Sequence, residues 1–286
     1  MNWKIYILFS TLFLTLHACI IDEAKPSVRQ RIVFYSDSYC PADSLIIKEF
    51  EQKKHVSVQV VYKNKDEIAQ LIQKDKFNTG IDVLLLSSDS LRENLYNQSL
   101  FSQLKGRSFF INMNRQFNNN HSYWVPICHN PLILATEKDS SSNCPAVNWG
   151  KLSKDSIRPN IAVESNVSSY LLKLNKTKKF AALTGQSKIP VNSRYTIYTL
   201  SQIAEIANKD LRFERSRCFY YLVENQRFIT NFTSVSLYRY GRNKIAAQQF
   251  IEFYSRFQYQ IASNRNQLST FRPIQPNFLI RSLEID

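Results

Sequence analysis

Short stretches of alternating or continuous apolar residues are separated by stretches of helical periodicity over the first third of the chain. Residues 31–35 (RIVFY) are rich in β-branched and aromatic side chains, which predicts a buried strand. Residues 36–43 form a turn, with Pro41 suited to a helix start, and Leu45, Ile46 and Phe50 give a helical stripe running through Lys53. Residues 56–62 (VSVQVVY) alternate as a strand. Residues 66–74 place Ile68, Leu71 and Ile72 on one helical face, 81–86 (IDVLLL) is an apolar strand, and 90–98 a third helix. The resulting β-α-β-α-β-α order implies a mostly parallel sheet covered by helices. Ligands of such sheets sit in loops after the carboxyl ends of strands, here residues 36–40 and 87–89.

Further along, residues 123–127 and 132–136 read as two strands around a kink at Cys128-His129-Asn130-Pro131. A short strand is predicted at 160–163, a helix from Ser165, a strand at 189–191, a helix at 198–208 and a strand at 218–223. An alternating strand at 232–240 (FTSVSLYRY, from Phe232) precedes a strong helix at 244–257. Residues 268–285 mix Pro273 and Pro276 with apolar residues and predict an irregular segment with a helical end. The asparagine-rich patch 112–120 is the clearest loop.

The N-terminus has a different pattern. One positive charge, Lys4, precedes a largely apolar run at 5–16, which is shorter than the roughly 18 to 20 residues that span a bilayer. It has the layout of a cleaved export signal. Its end, Leu16-His17-Ala18-Cys19, resembles a lipobox, although His17 departs from the usual small residue. That resemblance implies a signal peptide at 1–18, an acylated Cys19 bound to membrane lipid, and a polar tether at 19–30. The folded part would then face the periplasm or exterior.

Removing residues 1–18 from the 286 leaves 268, enough for one large domain or two lobes. Removing Lys4 from the formal charge of +14 leaves +13. The charges are scattered, and no nucleic-acid-binding motif accompanies them, so the expected basic surface is solvated and membrane-facing. Besides Cys19 there are Cys40, Cys128, Cys144 and Cys218, whose pairing the sequence leaves open. No CxxC, G-x-S-x-G, H-E-x-x-H or glycine-rich phosphate loop occurs, which argues against an enzyme.

The opening RIVFYSDSYCPADSLIIKEFEQKKHVSVQVVYKNKDEIAQLIQ…IDVLLLSS resembles extracellular solute-binding proteins of the ferric-iron transport type. YWVPICHNPLILATEKD (123–139), NIAVESNVSSYLL (160–172) and LVENQRFITNFTSVSLYRYGRNKIAAQQF (222–250) keep the same register. The resemblance spans nearly all of 31–275. It implies an α/β, two-lobed, periplasmic-binding-protein-like (type II) fold, each lobe a mixed sheet flanked by helices, joined by crossing strands. Residues 31–110 and 236–286 would form one lobe and 111–235 the other. It also implies capture of ferric iron or an anionic iron complex, passed to an ABC permease. No resident cofactor is required, and Fe(III) would be held with a synergistic anion. Phenolates suit that hard cation.

Residue by residue, the resemblance puts a ligand at Tyr39 and the second-lobe position near His129. The paired tyrosines fall on Arg194-Tyr195, with Tyr198 expected one helical turn later. Ser165, Asn166 and Ser168 at a helix start are placed to hold an anion or simply to cap the helix. Arg194, where the family has a phenolate, suits a carboxylate or phosphate. Tyr220-Tyr221 looks like a tyrosine pair but falls on the strand before Asn225-Gln226. The eroded ligand set leaves a second expectation, a repurposed scaffold that makes envelope contacts without small-ligand transport.

Overall fold

The computed structural model describes residues 30–106, 113, 117, 122–137, 161–163, 195–224, 227–228, 230–270 and 280–282. The expected signal, the expected tether up to residue 29, most of the asparagine-rich patch, the helix expected from Ser165 and the strand expected at 189–191 lie outside the described residues.

The first six elements follow the hydrophobic pattern: β1 (Arg31–Ser36), α1 (Ala42–Lys54), β2 (Ser57–Tyr62), α2 (Lys65–Lys74), β3 (Val83–Leu86) and α3 (Asp89–Asn97). β1 pairs in parallel with β2 and with β3. The four residues of β3 are all buried because both faces of the sheet are covered. Val83 and Leu85 pack with Phe34, Phe50, Phe250 and Tyr254 on one face. Leu84 and Leu86 pack with Ile68, Ile72, Leu91 and Leu95 on the other. Local chemistry sets the helix starts. Asn64 accepts from the amides of Asp66 and Glu67 while Glu67 accepts from the Asn64 amide, a reciprocal cap for α2.

After β4 (Phe101–Ser102) comes β5 (Trp124–Glu137), one strand where two were expected. Its register with β11 (Thr230–Tyr238) shifts between Thr233 and Ser234. That irregularity, opposite Pro126 and Cys128, accommodates the proline-containing stretch without ending the strand. Past Pro131, β5 changes neighbours. Leu132 to Thr136 pair with β7 (Tyr195–Thr199), and Ile133 to Glu137 with β8 (Arg217–Tyr221). β5 therefore crosses from one ladder into the other, as a two-lobed fold requires. β6 (Ile161–Val163) pairs with β7, and β9 (Val223–Glu224) with β10 (Arg227–Phe228).

The second ladder packs under α4 (Leu200–Lys209) and α5 (Leu211–Ser216) through Ile133, Leu200, Ile203 and Phe219. The strong helix predicted at 244–257 is α6 (Lys244–Ser255), and a further helix beyond it, α7 (Gln258–Asn264), was not predicted. β12 (Leu268–Ser269) then pairs with β5. The tail corrects an expectation: β13 (Ile280–Ser282) is a strand parallel to β8, where a helical end was predicted.

Asp82 joins three elements at the amino ends of the parallel strands. Its buried carboxylate accepts from the Val33 amide at 2.9 Å and from the Asn243 amide at 3.0 Å. Asp82→Ala leaves both amides without that partner and is expected to cost about 3 kcal/mol. The loss should appear as a lower urea midpoint at unchanged slope, and Asp82→Asn should recover part of it.

Candidate functional site

Because β1, β2 and β3 run the same way, their carboxyl ends open on one edge of the sheet. The loop after β1 is fixed there from several sides. The Asp37 carboxylate accepts from the Ser87 amide and hydroxyl, both at 2.7 Å, and from the Ser88 amide at 3.2 Å. This ties the end of β1 to the end of β3. Arg265, at the end of α7, donates to the Ser38 hydroxyl at 2.5 Å and to its carbonyl at 3.3 Å. The Ser36 hydroxyl donates to that carbonyl at 2.6 Å.

The loop presents Tyr39, which is 68% exposed. Its ring meets Tyr62, the last residue of β2, edge to face at 5.3 Å. Tyr62 is 41% exposed and donates to Asp43 at 3.1 Å, while the buried Tyr254 donates to the other Asp43 oxygen at 2.7 Å. Burial raises the Asp43 carboxyl despite Tyr254, Arg265 and Tyr62. Burial and the Asp43 charge push both tyrosines above the ordinary phenol range. Burial alone would lower Arg265, but Tyr254, Cys128, Cys40 and Asp43 around it outweigh burial and raise it.

Cys40 and Cys128 are buried free thiols, and Cys218 is disulfide-bonded. Burial raises Cys40 and pushes Cys128 to about 11, so both remain protonated at neutral pH. The Cys128 thiol donates to Gln267 at 2.9 Å.

The remaining expected residues are placed differently. Tyr195 and Tyr198 both lie in β7, opposite Thr136 and Ile133, where a helix was expected to begin at Tyr198. Positions three apart on a strand fall on opposite faces, so the expected one-turn spacing does not hold. Tyr198 packs its ring against Phe213 at 5.9 Å, beside the second-ladder core. The helix begins instead after Thr199, whose hydroxyl and Gln202 form a reciprocal cap. His129 has no exposed surface, packs its ring at a 45° tilt against Phe117 at 4.5 Å and lies 3.2 Å from the Thr230 hydroxyl. Burial lowers it to about 3. Tyr220 and Tyr221 are buried strand residues. Ser165, Asn166, Ser168, Arg194, Cys19 and Cys144 lie outside the described residues.

Sequence reasoning passed over Asp43, Tyr62 and Arg265. The position of Tyr62 was readable, since the end of β2 opens on the same edge as the loops after β1 and β3. Arg265 carried no local signal, because its partner Ser38 lies 227 residues away.

No family model and no curated protein matches the chain. Solved structures do. Ferric iron-binding protein A of Mannheimia haemolytica, in an open conformation, superposes with a TM-score of 0.72 at 19% identity, covering 87% of this chain and 88% of that one. FutA (IdiA) of Trichodesmium, in complex with iron and citrate, gives 0.73 at 12% identity, over 87% and 89%. The spermidine/putrescine substrate-binding protein PotD of Streptococcus pneumoniae gives 0.62 at 15% identity, over 85% and 84%. The chain thus has the two-lobed type II periplasmic-binding-protein fold, with mixed sheets flanked by helices. At these identities the likeness establishes the fold and leaves the ligand to the chain's own residues.

The depressed His129 makes a prediction. The unfolded imidazole titrates near 6.5 and the folded one near 3. Between those values the unfolded state binds the extra proton, so the His129 contribution is full above pH 6.5 and is lost as pH falls toward 3. Denaturation of wild type and His129→Gln across that window should show wild type losing up to roughly 1.4 kcal/mol more per pH unit.

Proposed function

We propose that the chain is a solute-binding lipoprotein of an ABC importer, anchored at Cys19 outside the cytoplasm, that captures ferric iron or an anionic iron complex. The observation that carries this reading is Tyr39. It is an exposed phenol at the carboxyl ends of parallel strands, in the fold shared by the ferric-binding structures, on a loop held rigid by Asp37 and Arg265. A phenolate is the donor a hard trivalent cation prefers. Rigid presentation lowers the ordering cost of binding.

Ser165, Asn166, Ser168 and Arg194 are proposed to bind the accompanying anion, and Tyr195, Tyr198 and His129 remain the candidate further donors. A guanidinium at Arg194 repels a bare cation, so an anion between the two is needed. Carbonate, phosphate or citrate would serve. A second reading, the repurposed scaffold, is favoured by the strand placement of Tyr195 and Tyr198 and the burial of His129. These features leave fewer donors near Tyr39 than the ferric-binding pattern implies.

Titration calorimetry and visible absorption separate the two. Ferric salt with citrate should give tight binding and a tyrosinate–Fe(III) band, and ferric salt alone weak binding. Tyr39→Phe should weaken binding at least tenfold, about 1.4 kcal/mol, and reduce the band. Absence of binding under every condition, also in Arg194→Tyr, would favour the scaffold reading. Independently, Cys19→Ser should abolish fatty-acid labelling and release the protein from the membrane fraction, because each buried acyl methylene contributes about 0.8 kcal/mol.

A further inference from the structure

The pole of the first sheet opposite Tyr39 carries a surface that neither folding nor ligand capture explains. The chain enters the fold at this pole. Arg31 begins β1, its carbonyl accepts from the Asn243 side chain at 2.5 Å, and the amide of Ser57 donates to the carbonyl of Gln30 at 2.8 Å. β3 begins here and β11 ends here, with Leu237 opposite Val83. Two segments meet at this end, the turn before β3 and the turn after β11. The Tyr238 hydroxyl joins them by donating to the Lys76 carbonyl at 2.8 Å.

On that seam Phe77 is 58% exposed, and its ring meets Tyr240 edge to face at 4.7 Å. The Lys76 ammonium lies 5.1 Å from the Phe77 ring, and the Arg239 guanidinium 6.0 Å from that of Tyr240. Arg242, two residues after Tyr240, and Arg31, whose carbonyl meets Asn243, are also exposed. Asp75, the acid of this turn, accepts from the Phe77 amide at 3.2 Å and the Asn78 amide at 3.1 Å. Single exposed aromatics are ordinary on protein surfaces. An aromatic pair flanked by cations, at the end where the chain would be tied to lipid, has the composition of a bilayer-interface contact.

We propose that this pole, centred on Lys76, Phe77, Arg239 and Tyr240, docks on an anionic membrane surface. The exposed Phe77 ring enters the headgroup layer, supported by the half-buried Tyr240 ring that packs on the core behind it, and the cations pair with lipid phosphates. From the preceding reading the inference takes only the tether at Cys19. Residues 20–30 extend about 40 Å at most, so the anchor keeps this pole near the bilayer. The ligand loop lies a strand length further out, roughly 20 Å for the six residues of β1, and faces the aqueous side. Anionic headgroups supply the complementary charge for a chain that keeps +13 after loss of Lys4 from +14.

The test is cosedimentation of the processed chain from position 19 onward, carrying Cys19→Ser so that no acyl group contributes. Vesicles of phosphatidylglycerol mixed with phosphatidylcholine are compared with pure phosphatidylcholine. Binding should require phosphatidylglycerol and weaken with salt. Lys76→Glu with Arg239→Glu should lower binding at least tenfold and Phe77→Ser severalfold, with melting temperatures held near wild type. Lys65→Glu, a charge reversal at the opposite pole, should leave binding unchanged. No phosphatidylglycerol-dependent sedimentation, or an equal loss from Lys65→Glu, would overturn the proposal. Because the tested chain is unacylated, these outcomes are separate from the acylation and ferric-binding results.

Discussion

Parallel pairing of β1 with β2 and β3 is the constraint on which the rest of the first lobe depends. One register, Arg31 with Ser57 through Ser36 with Tyr62, brings the three carboxyl ends together and sends the three amino ends to the opposite pole. Parallel strands need crossover helices, so α1 and α2 cover opposite faces and bury β3 completely. The two ends then acquire different chemistry. At the carboxyl ends Asp37 draws the loops after β1 and β3 together and Tyr39 is left exposed. At the amino ends Asp82 holds β1 to the turn before α6, and a basic, aromatic surface remains outside.

Much of this was readable from the sequence, for physical reasons. Helical and strand periodicities switch cleanly between Arg31 and Asn97, because each helix of the crossover hides one face and the strands are either continuously apolar, as in β3, or alternating, as in β2. The misreadings fall where local signals compete. The Cys128-His129-Asn130-Pro131 kink suggested two strands, yet a register shift against β11 keeps β5 whole. Tyr198 was assigned to a helix although Thr196, Ile197 and Thr199 favour a strand, and the Thr199 and Gln202 spacing already marks the helix start. At 280–282 no periodicity announces a strand, since its partner β8 lies some sixty residues earlier.

The candidate site was legible in its local parts, the loops 36–40 and 87–89 and Tyr39. Its support is long-range: Arg265 reaches Ser38 from α7, and Tyr254 reaches Asp43 from α6. Such contacts leave no sequence pattern, because either partner alone reads as a surface arginine or a packed tyrosine. The buried Asp43 is a local instance of the rule that an interior carboxylate needs donors, here two phenols. With Asp43 below and Arg265 behind, the loop carrying Tyr39 is fixed before any ligand arrives.

Ion capture by Tyr39, at the carboxyl ends of the parallel strands, is the proposal on which the functional reading turns. Crystals grown with ferric citrate and measured on both sides of the iron absorption edge test it most directly. An anomalous iron peak in direct coordination to the Tyr39 hydroxyl oxygen is expected. A peak at any other place on the chain, or none in a crystal of saturated protein, would contradict it.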